Sequence, residues 1–149
     1  MTHIVDSIRL STPDDAPELF QIWRHAVDAT HDFLSEEHLE LISQQVRHEY
    51  LPIATFHVAV DAQKRSLAFM GMTGNAIDSL FVDPAEHGKG VGRDLVEFAK
   101  QSHRMLILDV NEQNPGARAF YERLGFSVVG RSEFDDCGRP YPILHLRYE

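Results

Sequence analysis

The residues best equipped for chemistry begin where an apolar run ends. Leu80-Phe81-Val82 leads through Asp83-Pro84-Ala85-Glu86 into His87-Gly88-Lys89-Gly90-Val91-Gly92-Arg93. The alternating glycines let a backbone turn tightly and come close to a ligand. A helix is predicted to start here. The free N–H groups of its first turn, with its dipole, make an anion site. Lys89 and Arg93 add positive charge at short range. The spacing departs from two common phosphate loops. Gly88-Lys89 is followed by Gly90 rather than Ser or Thr, and the glycines run G-x-G-x-G rather than G-x-G-x-x-G. On this segment alone, a glycine-rich helix start with no ligand fits equally well.

A second segment holds groups able to move protons. It reads Leu108-Asp109-Val110-Asn111-Glu112-Gln113-Asn114-Pro115-Gly116-Ala117-Arg118-Ala119-Phe120-Tyr121-Glu122-Arg123-Leu124-Gly125-Phe126. Asp109 ends an apolar run, and a carboxylate there can take a proton directly or through water. Asp78 is a weaker candidate. The phenol of Tyr121 sits beside Phe120, and the pattern alone reads as a core aromatic. His31 and Asp32 lie between two helical segments. An imidazole, with an ordinary pKa of about 6.5, suits a base, and a loop or helix-cap role fits as well. The nine histidines show no H-x-H or H-E-x-x-H spacing, and Cys137 has no second cysteine, so no metal site is expected. Cys137 sits in the turn-like Asp135-Asp136-Cys137-Gly138, where a small polar residue would serve.

These groups need elements to hold them. A strand is predicted over 7–10. Ser11-Thr12-Pro13-Asp14-Asp15 reads as a helix entry, and Leu19, Phe20, Trp23 and Val27 follow at helical spacing. A second helix is predicted from Ser35, with Leu39, Ile42, Val46 and Tyr50 on its apolar face and Pro52 at its end. Strands over 55–60, 67–72 and 77–82 form a meander with a turn at Gly74-Asn75. The helix after the glycine loop carries Val91, Leu95, Phe98 and Ala99. A strand over 106–110 and a helix over 115–124 follow, with Gly125 as its stop. Strands over 126–129 and 143–148 complete the chain. The order β-α-α-β-β-β-α-β-α-β-β is an α+β pattern, not a doubly wound repeat.

Composition narrows the class. The chain has 149 residues, 43% hydrophobic and 25% charged, which predicts one globular domain over 1–149. Fourteen Lys and Arg against 23 Asp and Glu leave a net charge of -9. That argues against nucleic acid as a partner, which needs a basic footprint. The single cysteine excludes an intramolecular disulfide. No apolar run is long enough to span a membrane. Met1 to Asp6 lacks the basic and apolar regions of a secretory signal. A cytoplasmic protein with no membrane partner is expected.

Taken together, the two segments resemble the GNAT superfamily of acyl-CoA-dependent N-acetyltransferases. The resemblance rests on a strand, then H-x-x-G-x-G, then a helix, then V-N-x-x-N-x-x-A-x-x-F-Y-x-x-x-G-F, in order and suitably spaced. The segments over 28–34 and 132–142 are similar to the small bacterial YjaB-type members. The resemblance implies a mixed, mostly antiparallel central sheet with splayed central strands and helices on both faces. It implies acetyl-CoA as cofactor and a small-molecule or peptide amine as acceptor, attacking the thioester directly in a ternary complex.

The resemblance also implies roles. The backbone amides from Gly88 through Lys89, Gly90, Val91 and Gly92 to Arg93 hold the pyrophosphate. His87 stands where the family has Arg or Gln, a departure that bears on affinity and its pH dependence. Leu80, Phe81 and Val82 pair with the pantetheine arm, and the Val82 N–H serves the developing oxyanion. Asn114 contacts the cofactor. Tyr121 is the general acid for the leaving thiolate. Asp109 falls where several members carry a glutamate base, and His31 lies in the region that lines the acceptor groove. Oligomeric state, monomer or homodimer, and acceptor identity stay open. A non-catalytic acyl-CoA-binding or sensor domain is the alternative, and a nucleotide-binding domain a weaker one.

Overall fold

The computed structural model describes residues 4–149; Met1 to His3, the start of the segment read for a secretory signal, lie outside the described residues. The strands are β1 (Ser7–Leu10), β2 (Phe56–Val60), β3 (Ser66–Thr73), β4 (Ala76–Val82), β5 (Leu106–Asn111), β6 (Ser127–Ser132) and β7 (Ile143–Tyr148). The helices are α1 (Ala16–Thr30), α2 (Glu36–Gln45), α3 (Val91–Ser102) and α4 (Pro115–Arg123). Hydrogen bonding orders the strands β1-β2-β3-β4-β5-β7-β6 in a seven-stranded sheet. β1–β2, β2–β3, β5–β7 and β6–β7 are antiparallel, and β4–β5 is parallel. This is the mixed, mostly antiparallel sheet that the resemblance implies, within the α+β pattern read from the element order.

The chain condenses into two compact units. Unit one runs to Gly71 and takes in Ser79–Glu97. Its core joins Leu19, Phe20, Ile22, Trp23 and Val27 of α1 to Phe56, Val58 and Val60 of β2 and to Phe69 of β3. Burying one such side chain fully contributes about 1.5–3 kcal/mol. Leu39, Ile42, Val46 and Tyr50, the predicted face of the second helix, pack against this cluster. The entry to α1 is a 3-10 turn, Pro13–Asp15, fastened by Thr12 N donating to Asp15 Oδ2 at 2.7 Å. Ser35 Oγ caps α2 by accepting from His38 N at 3.1 Å. The predicted continuous helix to Pro52 instead widens into a π turn over Val46–Tyr50, closed by Leu51 N donating to Val46 O at 2.9 Å.

Unit two comprises Met72–Asp78 and Phe98–Glu149. It contains the parallel ladder of β4 and β5, which pairs Ala76 with Ile107 and Ile77 with Leu108. β5 and β7 pair over their full lengths, from Leu106↔Tyr148 to Asn111↔Ile143. The strand predicted over 126–129 runs instead over Ser127–Ser132, because a register shift between Val128 and Gly130 lets pairing with β7 continue past the glycine. Alternation decides the faces: Leu106, Leu108, Val110, Leu144 and Leu146 are buried, while Ile107 and Asp109 are exposed.

Candidate functional site

In unit one the glycine-rich loop follows directly from the end of β4. Asp83 N donates to Leu67 O at 2.9 Å, and its carboxylate accepts from Ala85 N at 3.0 Å. A 3-10 turn over Pro84–Glu86 follows. Gly88 and Gly90 then take φ of 78° and 81°. A Cβ at either would meet nothing within 4 Å, so it is the left-handed backbone that calls for glycine, and the space over the loop is open. Asp94 N donates to Gly90 O at 3.0 Å, which leaves the preceding amides of the first turn of α3 for a ligand. Val91 and Gly92 are buried, while His87, Lys89 and Arg93 are exposed.

Sequence reading passed over the residue that mounts this loop. Glu86 is 3% exposed. It accepts from Arg65 Nη2 at 2.6 Å and from Lys89 Nζ at 2.8 Å. The bond from Lys89 and the one from Arg65 hold its carboxyl below the usual carboxylate range against the opposing effect of burial. Arg65 is itself gripped by Asp61, Nε to Oδ2 at 3.2 Å. Lys89 is thus partly committed, although an ammonium keeps further donors. The only sequence signal for this was the polar turn over 61–65 and an acid within the loop.

Leu80, Phe81 and Val82 are half-buried. The Phe81 ring packs against Trp23 and Phe69, with centroids 6.5 and 5.7 Å away. Its side chain therefore serves the core, and the backbone is what this segment can offer a ligand. His31, also in unit one, caps the C-terminus of α1. Thr30 Oγ1 donates to Ala26 O at 2.8 Å and lies 2.7 Å from His31 Nδ1. With its proton so used, Thr30 accepts from Nδ1–H, which leaves the lone pair on Nε2. Burial lowers the imidazole pKa below its usual value, and Asp32 partly opposes this. The ring lies tilted against Phe33, with centroids 5.3 Å apart.

Unit two holds the other candidates. Asn114 is the N-cap of α4, its Oδ1 accepting from Ala117 N at 3.2 Å, so its amide N–H groups remain as donors. Tyr121 is 8% exposed and lies between Phe120 and Phe126, at 5.0 and 5.5 Å between centroids. Burial pushes its phenol well above the usual range, so it stays protonated throughout ordinary pH. Asp109 Oδ1 is bonded to His145 Nδ1 at 2.6 Å, a cross-strand partner that sequence reading did not single out. Asp78 accepts from Thr73 Oγ1 at 2.5 Å across the β3–β4 turn. Cys137 is exposed in a turn held by Asp135, whose Oδ1 accepts from the backbone N–H of both Cys137 and Arg139.

Residues 23–141 match the model of an acetyltransferase (GNAT) domain. The chain is 48% identical over 145 residues to the peptidyl-lysine N-acetyltransferase YjaB of Escherichia coli (strain K12), covering 97% of this chain and 98% of that one. The solution structure of apo YjaB from Escherichia coli superposes with a TM-score of 0.91, at 48% identity, over 95% of this chain and 96% of that one. A PaiA N-acetyltransferase from Thermoplasma acidophilum, solved in complex with coenzyme A, shares the fold at a TM-score of 0.71 and 19% identity, covering 96% of this chain and 99% of that one.

Proposed function

The chain belongs to the GNAT acetyltransferase family and uses acetyl-CoA, and from that premise we propose that it acetylates the ε-amine of lysine in peptides, within a ternary complex. The observation that carries this reading is the loop at the N-terminus of α3, with its two left-handed glycines and the open space above them. Acetyl-CoA supplies an acetyl group on a thioester whose sulfur leaves as thiolate. The residues present fit such a group: backbone amides from Gly88 to Arg93 with Lys89 and Arg93 suit a diphosphate. Asn114 adds an amide donor, and the backbone of Leu80, Phe81 and Val82 offers hydrogen bonds to an amide-bearing arm. His87, where Arg or Gln is usual, supplies a shorter donor.

The chain's own groups divide the remaining tasks. A lysine amine arrives protonated, at a reference pKa of about 10.4, and must lose a proton before it can attack. His31 takes that proton at Nε2, directly or through water, because burial keeps the ring neutral. Asp109 is the second acceptor, reached through water. The Val82 N–H donates to the developing oxyanion. Tyr121 holds its proton and donates to the leaving sulfur. Its burial makes a full phenolate costly, so hydrogen bonding to the thiolate precedes complete transfer. The similarity to relatives named for peptidyl-lysine acetylation supports the acceptor, and the net charge of -9 suits a cationic peptide. On this reading residues 1–149 act as one GNAT domain in a bacterial cytoplasm.

The test begins with calorimetric titration by acetyl-CoA, coenzyme A and ATP. Acetylation of a lysine-peptide library follows, read by mass spectrometry with wild type and Tyr121→Phe. Binding of both CoA species far tighter than ATP, and lysine acetylation lost in Tyr121→Phe, is the expected result. A folded protein that binds acetyl-CoA and acetylates no lysine peptide overturns the acceptor.

A further inference from the structure

Unit two lines up three side chains across three strands. Asp109 on β5 and His145 on β7 are direct cross-strand partners, and His145 faces Gly130 on β6. Ser132, two residues past Gly130, returns to the same face by the period of a strand. His145 Nδ1 is 2.6 Å from Asp109 Oδ1, and Nε2 is 2.7 Å from Ser132 Oγ. An ionised carboxylate only accepts, so Nδ1 carries the proton. Nε2 then holds the lone pair, and the Ser132 hydroxyl donates to it. Gly130 leaves room for the ring, since a Cβ there would come within 3.3 Å of His145 Cδ2. Carboxylate to Nδ1 and Nε2 to hydroxyl is the connectivity that activates a serine for attack on an acyl carbon. The group is accessible: the side chains of His145 and Asp109 are 38% and 53% exposed. Ile107, two residues before Asp109 on the same face, adds an apolar surface that is 39% exposed.

We propose that Ser132 is an acyl-accepting nucleophile, with His145 as its base and Asp109 as the positioning residue, acting on small activated acyl esters and thioesters. Acetylation of an amine, as proposed above, makes no use of Ser132 or His145. Ser132 Oγ bonds to the acyl carbon as its proton passes to His145 Nε2. The bond from the acyl carbon to the leaving oxygen or sulfur breaks, and its electron pair departs with that atom. The proton on His145 then goes to the leaving group or to water. The products are an O-acyl serine and a free alcohol, phenol or thiol, with no change of oxidation state. Base catalysis alone sets the acceleration at about 10²- to 10⁴-fold.

The test uses p-nitrophenyl acetate on the full chain with no coenzyme A present. Nitrophenolate release is followed optically, and peptides are mapped by mass spectrometry. A burst of nitrophenolate with one acetyl group on Ser132 is expected. The adduct disappears in Ser132→Ala and forms about 10²-fold more slowly in His145→Gln, with a smaller slowing in Asp109→Asn, each variant checked for folding by circular dichroism. Wild type with no acetyl on Ser132, or an equal rate in folded His145→Gln, overturns the proposal. The probe contains neither amine nor coenzyme A, so its failure leaves the lysine reading intact, and failure of the lysine reading leaves this one intact.

Discussion

Glu86 in unit one and Asp109 in unit two are both carboxylates bonded to side chains far away in sequence, Arg65 across 21 positions and His145 across 36. Their surroundings differ. Glu86 is almost fully enclosed and is held by two cations, Arg65 and Lys89. Asp109 is half open to solvent and is bonded to the imidazole of His145. The first arrangement ties a loop to the β2–β3 turn from inside; the second presents a carboxylate–imidazole pair to solvent. On the proposed reading, the glycine loop of unit one is an anion mount, and Tyr121 and Asp109 of unit two hold or pass protons. His31, which lies in unit one, crosses that division if it is the base proposed above.

The largest expected effect tests the proton-handling half of the comparison. Tyr121→Phe should lower kcat by about 10²- to 10⁴-fold and leave the Kd for coenzyme A unchanged. Steady-state kinetics beside calorimetry would show it, and a matching loss of binding would erase the division between the units. Next is His31→Gln, expected to lower kcat/KM by about 10²-fold at neutral pH. Wild-type activity should fall only as pH drops below 6.5, because burial lowers the pKa from that value. That acid limb should vanish in the variant. A limb that persists would move the base into unit two.

The mount is tested by Gly90→Val. Strain at a positive φ costs about 1–3 kcal/mol; a free loop that relaxes to escape it must take that cost back on binding, so affinity for acetyl-CoA should fall by roughly tenfold or more. Unchanged affinity in a folded variant would mean that the loop does not carry the cofactor. The smallest effect is expected from Glu86→Gln, as a severalfold rise in KM for acetyl-CoA with kcat preserved. Its pH signature is sharper. The folded carboxyl lies below the unfolded value of 4.5, so its contribution to stability is present above that pH. The contribution is lost as pH falls below 4.5 through the depressed folded value. Urea unfolding across that range should show a flatter acid side for Glu86→Gln than for wild type.

Much of the fold was legible in the residues. The helical spacing of Leu19, Phe20, Trp23 and Val27, the cap at Ser35 and the strand at 143–148 all appear where expected, since each reports a local preference or a burial period. The strand end and the glycine loop were legible for the same reason: positive φ, helix start and turn chemistry are local. Two boundaries were not. The π turn over Val46–Tyr50 and the extension of β6 past Gly130 depend on neighbours that no window of sequence contains.

The sequence by itself determined the class of elements, the position of the glycine loop and the family to which the chain belongs, because these rest on periodicity, backbone preference and motif order along one stretch of chain. Only the tertiary structure decided what Glu86 and Asp109 touch. Arg65 reaches Glu86 from another strand pair, and His145 meets Asp109 and Ser132 only through the register of β5, β7 and β6. Hydrogen bonds act over about 3 Å, and which groups come that close depends on how distant segments pair.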